Sequence, residues 1–128
     1  LQPCAYPDVN GQLVELLLLL QTLRLASAGR VVAVLPHFPY ARQDVKTRPR
    51  VPLAATCVAE LLETMGAHRV LALDLHSDQI AGFFPHAIVD HLALPVAAEL
   101  AAHVRAAHPA LLADAAGLVV VAPDAAGV

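Results

Sequence analysis

The sequence predicts an α/β fold with a mainly parallel sheet, and three observations carry that prediction. Segments with helical apolar spacing alternate with short continuous apolar runs along the 128 residues. Two of those runs, in 30–35 and 68–74, are rich in Val and Leu without polar alternation, the pattern of strands buried in a parallel sheet. Each is followed by a polar segment, as expected where a parallel sheet offers its carboxyl ends to a ligand.

Each element follows from local chemistry. Residues 1–9 are polar and proline-bearing, and Asn10 stands where an N-cap would precede Leu13, Leu16, Leu17, Leu20, Leu23 and Leu25, which predicts a helix over about 11–27. Leu18 and Leu19 make that helix apolar around most of its circumference, so it is expected to be deeply buried or packed against a second subunit. Ser27-Ala28-Gly29 ends it, and a strand over 30–35 follows. After a loop over 36–52, the apolar positions Leu53, Val58, Leu61, Leu62 and Met65 with Gly66 behind them predict a helix over 53–65. A strand over 68–74, a short segment over 76–80, a strand over 87–89, a helix over about 94–107 and a last strand over 118–122 complete the order.

Composition narrows the classes. The length suits one domain with a core of its own, and no shift in composition marks a second. With 58% hydrophobic and 15% charged residues, the chain has more apolar surface than one sheet face needs, which points to a sheet covered on both faces or to partner surfaces. The most apolar run, 13–25, is interrupted by Glu15, Gln21 and Arg24 and is too short to span a bilayer, so no membrane is expected. A net charge of −3 and only five Tyr and Phe residues argue against nucleic-acid binding. Cys4 and Cys57 have neither zinc-ligand nor disulfide-framework spacing, which fits a reducing, cytoplasmic setting.

The chemistry concentrates in 36–52. Pro36, Pro39, Pro49 and Pro52 deny this stretch a helical or central-strand backbone, so Arg42, Lys46, Arg48 and Arg50 sit on a constrained connection with only Asp44 to offset them. Such a loop is either a solvated charged surface or an anion site, most naturally for a polyphosphate. The strand over 68–74 ends at Asp74-Leu75-His76, where alternation lets Asp74 and His76 face one cleft and hold a divalent cation. An aspartate after a strand also caps helices, and magnesium prefers oxygen ligands, which makes His76 an unusual direct partner. The remaining histidines, His91 among them, read as surface or packing residues.

The motifs Phe38-Pro39-Tyr40-Ala41-Arg42-Gln43-Asp44, Asp74-Leu75-His76, Gln79-Ile80-Ala81-Gly82-Phe83-Phe84 and Pro123-Asp124-Ala125 resemble those of the ribose-phosphate diphosphokinases, or phosphoribosyl pyrophosphate synthetases. The resemblance extends from Asn10 to Val128 with the motifs in order. It implies an incomplete phosphoribosyltransferase-like three-layer sandwich, a single partial amino-terminal domain over 1–128 cut at both ends. Members of the family transfer the diphosphoryl group of magnesium ATP to ribose 5-phosphate, giving phosphoribosyl pyrophosphate and AMP. On the matching positions the resemblance implies ATP contacts at Arg42, Gln43, Asp44, Lys46, Arg50 and His76, and magnesium ligands at Asp74, His76 and Asp124, with Asp90 near a further acidic position. It also implies a homo-oligomer, or a hetero-oligomer with related subunits, and little activity for the chain alone. Val45, Thr47, Pro85-His86 and Ala126 depart from the family's usual residues, which leaves a non-catalytic regulatory or assembly relative as the alternative.

Overall fold

The computed structural model describes residues 1–2, 4–5, 7–109, 119 and 121. The chain divides into two compact units, Leu1–Ala93 and Leu94–Val128. The first contains helix α1 (Val9–Leu25), strand β1 (Val32–His37), helix α2 (Ala54–Thr64), strand β2 (Arg69–Asp74), a 3₁₀ turn (Asp78–Phe83) and strand β3 (Ile88–His91). Helix α3 (Ala93–Ala107) follows. The expected strand over 118–122 lies outside the described residues apart from 119 and 121, and so does Asp124.

The three strands form one parallel sheet in the order β1-β2-β3. Val32 pairs with Arg69 and His37 with Asp74, so β1 and β2 end level with each other and release their following loops at one edge. One face of the sheet carries the core: Ala33, Leu35, Val70 and Ala72 are buried among Leu13, Leu16 and Leu20 of α1 and Ala55, Val58, Ala59 and Leu62 of α2. On the other face of β1, Val32 stays 45% exposed.

The boundaries shift for identifiable reasons. Helix α1 starts two residues before the expected position because Asp8, not Asn10, is the cap, its Oδ1 accepting from the Gly11 N–H at 2.9 Å. Strand β1 runs through Pro36 to His37, where a terminal break was expected. Pro36 stands outside the paired register, and β1 has no further strand beyond it among the described residues, so the missing N–H breaks no ladder bond. Helix α2 stops as expected at Gly66, whose φ of +110° suits glycine.

Helix α1 is not deeply buried. Leu16 and Leu20 face the core, while Leu18 and Leu19 are 60% and 50% exposed, and Val14, Leu23 and Leu25 are exposed as well. The apolar circumference read from the sequence therefore divides into a core face and an uncovered face. No helix among the described residues is long and apolar enough to cross a membrane.

This division predicts unequal costs along the two faces of α1. Leu20→Ala, at a buried position on the core face of α1, is expected to lower unfolding stability by about 2–5 kcal/mol in urea denaturation of the chain. Leu18→Ser is expected to change it by about 0.5 kcal/mol or less. Equal losses for the two substitutions would contradict the placement of α1.

Candidate functional site

The loop over 38–53 leaves β1 at the same edge where 75–77 leave β2, and three anchors fix it there. Phe38 and Pro39 are fully buried at its base, with Phe38 meeting Phe84 edge to face at a centroid distance of 6.1 Å. Tyr40 then adopts a left-handed backbone, φ +59°, a conformation that costs a non-glycine residue about 1–3 kcal/mol and persists only where surroundings hold it. Its carbonyl accepts from the Gln43 N–H at 2.9 Å, closing a turn, and its hydroxyl bonds Asn10 Oδ1. Farther along, the Gln43 carbonyl accepts from the Ala55 N–H at 3.3 Å, so the loop caps α2, which has no side-chain cap.

The third anchor is Asp44, the one buried charged residue among those described. Its Oδ2 accepts from Ser77 Oγ at 2.6 Å and from Gln79 Nε2 at 3.0 Å, and Gln79 Nε2 also reaches the Asp44 carbonyl at 3.3 Å. The basic loop is thus tied directly to the segment that follows Asp74. The Ser77 hydrogen bond holds the Asp44 carboxyl below the usual carboxylate range; burial pushes the other way, and Gln79 adds to the lowering.

Beyond Asp44 the loop is open to solvent. Arg42 and Gln43 line a cavity of about 320 Å³ with Val45, Thr47, Val51 and Pro52, at the end of the sheet where the amino terminus of α2 also lies. Arg42, Lys46, Arg48 and Arg50 are exposed, and none forms an ion pair among the described residues. Arg50 also has a left-handed backbone, φ +64°. Cationic side chains without ion-pair partners, gathered on one loop, form a surface suited to a polyanion.

Asp74 and His76 are both exposed and flank buried Leu75, as strand alternation requires. They do not pair with each other. The His91 ring stands between two carboxylates, its Nε2 3.4 Å from Asp74 Oδ1 and its Nδ1 3.1 Å from Asp78 Oδ1. His91, which the sequence assigns to the surface or to packing, stands at the end of β3, level with the loop after β2. Asp90 is engaged elsewhere: Arg69 pairs with it through both Nε and Nη2, the latter at 2.8 Å, and that hydrogen bond holds the Asp90 carboxyl below its usual range. Among the described residues no three His, Cys, Asp or Glu side chains converge as a ready-made metal cage. An exposed carboxylate such as Asp74 suits magnesium nonetheless, since that ion keeps several waters and takes phosphate oxygens as its other ligands.

Residues 1–66 match the model of the N-terminal domain of ribose phosphate pyrophosphokinase. The chain belongs to the ribose-phosphate pyrophosphokinase family. It is 41% identical to ribose-phosphate pyrophosphokinase A of Dictyostelium discoideum over all 128 residues, which is 38% of that protein. It is 50% identical to the ribose-phosphate pyrophosphokinase of Mycobacterium tuberculosis over 92 residues, 72% of this chain and 28% of that one. The crystal structure of phosphoribosylpyrophosphate synthetase from Mycobacterium smegmatis superimposes with a TM-score of 0.68 at 41% identity, over 82% of this chain and 35% of that chain. The α/β class and phosphoribosyltransferase-type fold expected from the sequence are borne out by this match and by the parallel sheet. The chain spans between 28% and 38% of the length of these relatives.

The Asp44 anchor predicts a pH signature. Because its folded pKa is depressed, its stabilisation is fully present above the unfolded value of about 4 and is lost as pH falls through the lower folded value. The stability gap between the chain and Asp44→Asn, read by urea unfolding at a series of pH values, is expected to be constant above about pH 5 and to close below about pH 4. A gap unchanged into acid would contradict the assignment.

Proposed function

We propose that this chain supplies the ATP half of a ribose-phosphate pyrophosphokinase, which transfers the diphosphoryl group of magnesium ATP to ribose 5-phosphate and yields phosphoribosyl pyrophosphate and AMP. One observation carries the reading: the basic loop is pinned through Asp44 to the segment following Asp74, so cationic side chains and a carboxylate stand on adjoining loops at one sheet edge. That arrangement matches what a metal-bound polyphosphate requires.

Each residue then has a role. Arg42, with its planar and permanently charged guanidinium, makes bidentate contact with phosphate oxygens or the base, and Gln43 adds a polar contact from the same cavity wall. Lys46 and Arg50 contribute positive charge from the exposed part of the loop. Asp44 acts by holding the loop, its oxygens already taken by Ser77 and Gln79. Asp74 holds magnesium, with His76 beside it toward the phosphates and Asp124 as a further ligand. Bound magnesium neutralises phosphate charge and orients the transferred group. No covalent enzyme intermediate is needed, because alignment and charge neutralisation account for this class of transfer. Asp90, paired to Arg69, has no part in this scheme.

The exposed leucines of α1 support assembly into an oligomer of like or related subunits, and the two free cysteines fit a cytoplasmic setting. A second reading, a regulatory relative without activity, is favoured by Val45 and Thr47, uncharged residues on the wall that carries Arg42. AMP release by the assembled enzyme separates the two.

Calorimetric titration of the chain with ATP tests the site. Arg42→Ala is expected to weaken binding at least about tenfold, as for loss of a charge-assisted contact of about 1.5–3 kcal/mol. The Asp74→Ala, His76→Ala double variant is expected to abolish the enhancement by magnesium. Nucleotide binding unchanged by Arg42→Ala would overturn the assignment.

A further inference from the structure

His91 is placed to organise the Asp74–His76 segment, a role that neither composition nor motif assigns to it. The Leu75 N–H donates to His91 Nε2 at 3.1 Å. That nitrogen is therefore the unprotonated acceptor, and Nδ1 carries the hydrogen, which it donates to Asp78 Oδ1 at 3.1 Å. With its Nε2 lone pair committed to Leu75, His91 gives no hydrogen bond to Asp74, whose Oδ1 lies 3.4 Å away. The ring thus fixes the backbone between Asp74 and His76 while leaving the Asp74 carboxylate unpaired.

Leu75 is held from two sides. Its side chain is buried in the core, and its N–H is bound by His91 at the end of β3. The Leu92 N–H donates to the Ala72 carbonyl at 2.9 Å, which carries β3 pairing past His91 and sets the ring against the end of β2. The directions of Asp74 and His76 on either side of Leu75 follow from these two constraints.

We propose that His91 is a positioning residue for the magnesium-dependent part of ATP binding, acting through the Leu75 N–H and not by contact with nucleotide or metal. This inference rests on the nucleotide reading above. Outer partners that orient metal-binding groups commonly change metal affinity by 10–100-fold when removed.

The test is calorimetric titration of the chain with ATP at increasing magnesium concentration, for the unsubstituted chain, His91→Phe and His91→Gln. His91→Phe keeps an aromatic ring without an acceptor, and is expected to raise the magnesium concentration needed for half-maximal enhancement about tenfold or more while leaving ATP binding without magnesium unchanged. His91→Gln, whose Oε1 can accept from Leu75, is expected to recover most of the loss. An identical magnesium response for the unsubstituted chain and His91→Phe would overturn the inference alone. Absence of ATP binding by the unsubstituted chain would overturn the nucleotide reading and this inference with it. Independently of variant folding, nitrogen NMR of the unsubstituted chain is expected to show His91 protonated at Nδ1; the Nε2-protonated tautomer would overturn the inference.

Discussion

The hydrogen bonds that Asp44 accepts from Ser77 and Gln79 are the constraint on which the site depends. A carboxylate buried without partners would draw its loop back to water. Supplied with a hydroxyl and an amide donor, it instead holds the loop down at the middle, as Phe38 and Pro39 hold it at the base. The cationic residues that follow are carried on a support whose position is set by the strand edge. Without the bond, Arg42 and Lys46 would belong to a long, proline-rich connection with no fixed relation to Asp74.

The parallel sheet makes that bond possible. Because His37 pairs with Asp74, β1 and β2 end level, and loops separated by more than 30 residues in sequence meet within hydrogen-bonding distance. Helices α1 and α2 act from one sheet face: their leucines, valine and alanines seal it and fix the strand register through burial. The same leucine-rich α1 leaves a second apolar face uncovered, so its composition serves two surfaces.

Much of this was legible in the sequence, and the exceptions have local causes. The continuous apolar runs around Val34 and Leu71 announced buried parallel strands, and the Gly66 stop fixed the end of α2. Asn10 and Asp8 are both capable caps, and only the Gly11 contact distinguishes them. Pro36 predicts a break, since sequence does not reveal that it lies on the outer strand of the sheet, outside the paired register. The motif containing Asp44 was recognisable, but its partners lie 33 and 35 residues away, so its structural task could not be read from the loop itself. His91 was hidden for a similar reason: a single histidine gives no spacing signal, and its acceptor role toward Leu75 arises only when β3 aligns with β2.

The loop over 38–53 and the segment over 74–79 are proposed to form one magnesium-ATP surface. Hydrogen–deuterium exchange of the chain with and without magnesium ATP tests this most directly. Nucleotide is expected to slow exchange in both segments together, with the strand over 88–91 following through the His91 contact to Leu75. Protection confined to one of the two loops, or located at the amino-terminal ends of the strands, would contradict it.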